Sequence, residues 1–115
     1  MHPQILTIAP SLSEEALMQQ LAKAIGARIR IERKARNLSQ DALALACSID
    51  RSYMGRIERG EVNITIQKLY VIADVLACDP HALLPEVNKD AVASEPAEGV
   101  LYTERLGYLA LNKPK

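Results

Sequence analysis

The stretch LSQDALALACSIDRSYMGRIERG, residues 38–60, carries two short helical patterns back to back. Ser39 can cap the first, Gln40 opens it, and Leu43, Ala44, Ala46 and Cys47 supply an apolar side. Ser48-Ile49 leaves room only for a tight turn. Asp50 can cap the second pattern, which runs from Arg51 to about Arg59, and Gly60 stands where a helix end favours glycine. Met54 and Ile57 give this second helix its apolar side. Arg51, Ser52, Gly55, Arg56 and Arg59 fall on the opposite side, which is polar and positive. Gly55 is a local weakness, costing about 1 kcal/mol relative to alanine inside a helix.

Two short helices joined by a tight turn make a helix-turn-helix candidate, with Ala44 small where the two must cross closely. Further helices surround it. Ser13-Glu14-Glu15-Ala16 reads as a capped start, and Leu17, Leu21, Ile25 and Ile29 mark one face of a helix reaching about Arg36, bent or interrupted near Gly26. Thr65 caps a fourth helix with Leu69, Ile72, Ala73 and Leu76 facing inward. Asp79-Pro80 begins a very short fifth, which Pro85 stops. The spacing therefore divides the chain into an arm (1–12), a helical domain (13–85), a linker (86–99) and an apolar C-terminal segment (100–115). The apolar runs 5–9 and 100–111 remain once the domain is accounted for. They are expected to pack together as short strands and build a dimer interface, or to cover the domain's own flank.

A chain of 115 residues with four tyrosines, no Phe and no Trp needs an aliphatic core, which leans towards an all-α fold. No run of 18 apolar residues predicts a membrane span, and Met1-His2-Pro3-Gln4 does not read as a secretory leader, so a cytoplasmic protein is expected. Cys47 and Cys78 are isolated, as are His2 and His81, so reduced structural thiols are expected and no metal or other cofactor. No nucleophile–base pair or phosphate loop suggests an enzyme. The net charge is zero, but residues 22–59 hold nine basic groups against four acidic ones, leaving the remainder with five against ten. Such segregation fits either a polyanion footprint or a solvated helix face. Lys23, Arg28, Arg30, Lys34 and Arg36 are spread around the first helix; most are expected to contribute solubility or a weak long-range field, with one or two near phosphate.

Residues 25–84 resemble the XRE/Cro-type helix-turn-helix regulators, with their lambda-repressor-like fold of five helices. The matching residues are Ile25-Gly26-Ala27-Arg28-Ile29-Arg30, Leu38-Ser39-Gln40, Leu43-Ala44, Arg56-Ile57-Glu58-Arg59-Gly60 and Leu69 to Leu76. The resemblance implies a dimeric repressor that reads a palindromic operator in double-stranded DNA. It implies that Gln40 contacts phosphate, that Arg51, Ser52 and Arg56 meet base edges, and that Tyr53 and Asn63 touch backbone or neighbouring bases. Arg59 and Gly55 share the reading face, and Arg33 and Glu58 match an internal salt bridge. The same fold also serves as an antitoxin gripping a toxin, or as a protein–protein module. Three residues depart from the family pattern. Ser48 stands where a left-handed glycine is usual, at a cost of about 1 kcal/mol. Gly55 replaces a position more often serine, and Gly26 lies inside a helix longer than usual on its N-terminal side.

Overall fold

The computed structural model describes residues 5–88. The expected C-terminal segment 100–115, most of the linker and residues 1–4 of the arm lie outside the described residues. A two-residue strand β1 (Ile5–Leu6) precedes helices α1 (Glu14–Ala35), α2 (Gln40–Cys47), α3 (Arg51–Glu58) and α4 (Ile66–Val75), and a second strand β2 (Glu86–Val87) closes the order. The fifth helix expected before Pro85 is a single 3-10 stretch, Pro80–Leu83, so the described residues hold four α-helices rather than five. Asp79 caps it and Pro80 opens it, but Pro85 leaves too few residues for an α-helix.

Each α-helix starts on a side chain that accepts from its first turn. Ser13 accepts from the Ala16 amide, Ser39 from Ala42, Asp50 from Ser52 and Tyr53, and Thr65 from Lys68. Each also ends the same way. Asn37, Ser48, Gly60 and Ala77 all have positive φ, between 55° and 73°. The amide of the following residue then closes a wide turn: Leu38 onto Arg33, Ile49 onto Ala44, Glu61 onto Arg56 and Cys78 onto Ala73. Ser48 thus keeps the left-handed turn between α2 and α3 without glycine, at φ 55° and ψ 40°.

The core is a single aliphatic cluster. Ile29 of α1, Leu43 of α2, Met54 of α3, Ile72 of α4, Leu76 and Leu83 are fully buried in it. α2 buries Leu43, Ala44 and Cys47, whereas Ala46, expected inside, is exposed. The buried arc is centred between those three residues and Ala46 falls past its edge. Cys47 and Cys78 are free thiols, the first buried and the second half-buried. Both titrate above the ordinary thiol value because burial disfavours the thiolate. No helix among the described residues is long and apolar enough to cross a membrane.

α1 is continuous through Gly26, so the expected interruption is absent. Glycine is required there by a neighbour. A Cβ at Gly26 would lie 2.3 Å from the Ile57 carbonyl oxygen and 2.7 Å from that of Glu58. The backbones of α1 and α3 therefore touch. A second close approach lies one turn away, where a Cβ on Gly60 would come within 2.6 Å of the Lys23 Cα.

The run 5–9, read as a strand or loose arm, contributes only Ile5–Leu6, which pair in parallel with Glu86–Val87. The Asn88 amide donates to the Leu6 carbonyl at 2.7 Å. The start of the expected linker is thus a strand, and it brings the arm back beside the end of the domain. Leu6 is buried and Ile5 is 61% exposed.

Opposite predictions follow for glycine inside a helix and just past a helix end. Gly26→Ala forces rigid backbone apart and is expected to cost about 1–3 kcal/mol despite its better helix propensity. Ala77→Gly relieves a left-handed residue on the surface and should stabilise by about 1 kcal/mol. Urea unfolding midpoints of the two variants check both signs.

Candidate nucleic-acid interface

α3 has eight residues, too few to stand as a helix alone in water. It is held from beneath by Met54 and Ile57, which are 0% and 2% exposed. Beside them lies a buried ion pair. Arg33 Nε donates to Glu58 Oε2 at 2.7 Å, and Arg33 Nη2 donates to Glu58 Oε1 at 3.0 Å. The fork is bidentate, a geometry that a lysine could not copy. The same guanidinium donates through Nη1 to the Leu38 carbonyl at 2.9 Å. Gln40 Nε2 donates to Glu58 Oε1 at 3.0 Å. The Glu58 carboxylate raises the Arg33 pKa by accepting the hydrogen bonds of that guanidinium.

The side away from the core carries the residues expected to read DNA. Arg51, Ser52, Arg56 and Arg59 are exposed there, as is Asn63 in the following loop. Tyr53 is half-buried and packs on the core cluster, so its ring is mainly structural contact. The Ser52 hydroxyl donates to Asp50 Oδ2, the carboxylate oxygen that also caps α3. Gln40, at the start of α2, is half-buried. Its side-chain nitrogen carries two hydrogens and Glu58 takes one.

Gly55 does not lie exposed among the reading residues as expected; it is buried. A Cβ there would meet Arg59 Nη1 at 3.1 Å and Gln40 Oε1 at 3.3 Å. Two long polar side chains, one from each helix of the motif, close over the glycine. A flat helical wheel assigns Gly55 to the outer face because it does not register side chains folding back from its neighbours. Arg33 and Glu58 are brought together, and Arg36 pairs along α1 with Glu32 at 2.6 Å.

Two residues of this face were not singled out in the sequence. Asp41 Oδ1 lies 2.9 Å from Arg51 Nε, and Glu61 Oε2 lies 2.7 Å from Arg59 Nε. Glu61 Oε1 also lies 4.0 Å from Arg56 Nε. Every arginine of the face therefore has a carboxylate beside it. The available signal was acidic residues just inside the first helix and just past Gly60, next to the cations they meet.

The comparisons with known proteins agree with this geometry. A family model described as helix-turn-helix matches residues 29–83. The crystal structure of the restriction-modification controller protein C.AhdI from Aeromonas hydrophila is similar, at 38% identity and a TM-score of 0.53. The match covers 56% of this chain and 97% of that one. The control protein C.BamHI of Bacillus amyloliquefaciens is 38% identical over 48 residues, 42% of this chain and 59% of that protein. The immunity repressor protein of Bacillus phage phi105 is 34% identical over 74 residues, 64% of this chain and 50% of that protein. The chain thus spans somewhat more than half the length of these curated relatives at most.

Two outcomes follow from the geometry of α3. Gly55→Ala meets only the movable ends of Arg59 and Gln40, so the helix should gain up to about 1 kcal/mol, measured by urea unfolding. The Asp50 carboxyl titrates below the ordinary aspartate range, chiefly because the Ser52 hydroxyl donates to it and then because the Tyr53 amide does. Its folded value is lower than its unfolded one, so its contribution is present above about pH 4 and is lost as pH falls through the lowered value. Asp50→Asn should flatten that acid loss in a comparison of urea midpoints at pH 7 and pH 3.

Proposed function

The chain belongs to the XRE-type helix-turn-helix family, and from that membership we propose that it is a non-enzymatic, sequence-specific DNA-binding regulator of transcription in the cytoplasm. The observation that carries the reading is the two-sided build of α3. One side is anchored by Met54, Ile57 and Glu58, and the other presents Arg51, Ser52 and Arg56 to solvent. A helix of this width enters the major groove, where the planar fork of an arginine donates to guanine O6 and N7 together. Gln40 sits at the start of α2, so its backbone amide and remaining side-chain hydrogen suit a phosphate oxygen. Arg59 and Asn63 flank the base-reading residues and suit the neighbouring backbone.

The mode of action is repression by occupancy of an operator. One reading helix offers a small contact, and the reading therefore includes a homodimer on two half-sites about 34 Å apart. The controller and repressor proteins among the relatives support a regulator of this kind.

Selection of bound sequences from random duplex DNA, at stated salt, tests the proposal. An enriched inverted repeat supports the dimeric repressor, and a single half-site would leave a monomeric reader. No enrichment would overturn the DNA reading in favour of an antitoxin or other protein-binding module. On the selected site, Arg56→Ala is expected to lose about 1–3 kcal/mol and to relax discrimination at one position. Gln40→Ala should weaken cognate and scrambled duplex alike, with circular dichroism checking that the helical fold is intact. Equal losses from Arg56→Ala on both duplexes would remove its base-reading role.

A further inference from the structure

We propose that Asp50 positions the Ser52 hydroxyl as an acceptor, so that Ser52 reads a base-edge amino group, adenine N6 or cytosine N4, in preference to a base-edge acceptor. The proposal rests on the DNA-reading function given above. It adds the hydrogen-bond polarity of one reading residue and names the residue that sets it.

A serine hydroxyl has one hydrogen and two lone pairs, and in the major groove it ordinarily serves a donor or an acceptor. Here the hydrogen is committed, because the Ser52 hydroxyl donates to Asp50 Oδ2. The same oxygen accepts from the Ser52 amide at 3.0 Å and from the Tyr53 amide at 3.3 Å. Those two amides belong to the first turn of α3, so the carboxylate is fixed by the helix it caps. The Asp50 carbonyl is held as well, accepting from the Met54 amide at 2.9 Å. Asp50 titrates below its ordinary value, chiefly through the Ser52 hydroxyl, so at neutral pH it is ionised and only accepts. Ser52 is exposed on the side of α3 that carries Arg51 and Arg56, and lone pairs are what its hydroxyl has left to offer there.

The two kinds of base partner then differ by one bond. A base-edge amino group donates to a lone pair, and the bond to Asp50 survives. A hydroxyl that donates to a carboxylate is also the better acceptor. A base-edge carbonyl or ring nitrogen needs the hydroxyl hydrogen itself. Taking it leaves the Asp50 carboxylate short of a donor, at an interface that is losing water beside a polyanion. The bond is exposed in the free chain and its strength is modest. It is nevertheless kept in one complex and broken in the other, so it enters the difference between them directly. Arg51 and Arg56 only donate, which suits guanine, and Ser52 supplies the complementary polarity on the same helix.

The test uses the operator selected by the unmodified chain, at the position that Ser52→Ala relaxes. The base pair there receives an analogue without the amino group, purine for adenine or 2-pyrimidinone for cytosine, or a 7-deaza purine without the N7 acceptor. Loss of the amino group should weaken the unmodified chain about fivefold more than it weakens Ser52→Ala. Loss of N7 should affect the two chains equally. Asp50→Asn keeps a good helix cap and gives the serine an uncharged amide that both donates and accepts. It should reduce the amino-group penalty to about twofold and leave discrimination at the position read by Arg56 intact. An amino-group loss that costs the unmodified chain and Ser52→Ala equally would overturn the inference, as would a penalty that follows N7 in the unmodified chain alone. A Ser52→Ala variant that relaxes no position would overturn it too. A full penalty in Asp50→Asn would remove the positioning role of Asp50. An unmodified chain that selects no motif would defeat the DNA-reading function itself, a result distinct from all of these.

Discussion

The buried pair of Arg33 and Glu58 is the interaction on which the remaining geometry depends. Taking both charges out of water is expensive, and mutual attraction repays it only when the spare donors and acceptors are also matched. Here they are. Glu58 accepts two bonds from Arg33 and one from Gln40, and Arg33 gives a further one to the Leu38 carbonyl. One carboxylate therefore ties together α1, the entry to α2 and the last residue of α3. An apolar pair of the same volume could hold the helices as firmly. It would not fix the rotation of α3 about its own axis, which decides whether Arg51, Ser52 and Arg56 face outward.

The pair works at short range because the backbones around it are already close. Gly26 lets the Ile57 and Glu58 carbonyls rest against α1, and Gly60 rests on Lys23. Larger residues at either position would lift α3 away and lengthen the Arg33–Glu58 contact. The helix ends serve the same purpose. Left-handed residues at 37, 48 and 60 reverse the chain in few residues. Leu38, Ile49 and Glu61 each return to the helix they have just left. The strain accepted at Ser48 and Ala77 is offset by the tertiary contacts that such sharp turns permit.

Much of this was legible in the sequence, where the cause is local. Ser13, Ser39, Asp50, Thr65 and Asp79 announce their helices, because a cap needs only its own side chain and the next few amides. The apolar periodicity of α4 and the two sides of α3 are equally local. Gly26 was misread as a break in the helix because its reason lies in another helix, 31 positions further on. Ala77 carries no mark of its left-handed backbone, since neither glycine nor asparagine stands there. β1 and β2 are two residues each, too short for any period to appear, and their pairing spans nearly the whole described chain. At the interface the basic side was evident, whereas the burial of Gly55 and the carboxylates beside each arginine depend on how long side chains fold across a turn.

Gly55 joins these levels. Its missing side chain is a weakness for an isolated helix, and α3 is too short to absorb one unaided. Packing from below removes that difficulty, since Met54 and Ile57 are almost wholly buried. The space left above the glycine is taken by Gln40 and Arg59. Gln40 reaches across it to Glu58, and Arg59 lies over it on the way to Glu61. The glycine therefore connects the inner ion pair, which sets the orientation of α3, to the outer pairs, which set the charge it shows. A helix read from its own propensities is weakest at this position. Within the fold, it is where the scaffold and the reading surface meet, because Gln40 and Arg59 close over it from the two helices of the motif.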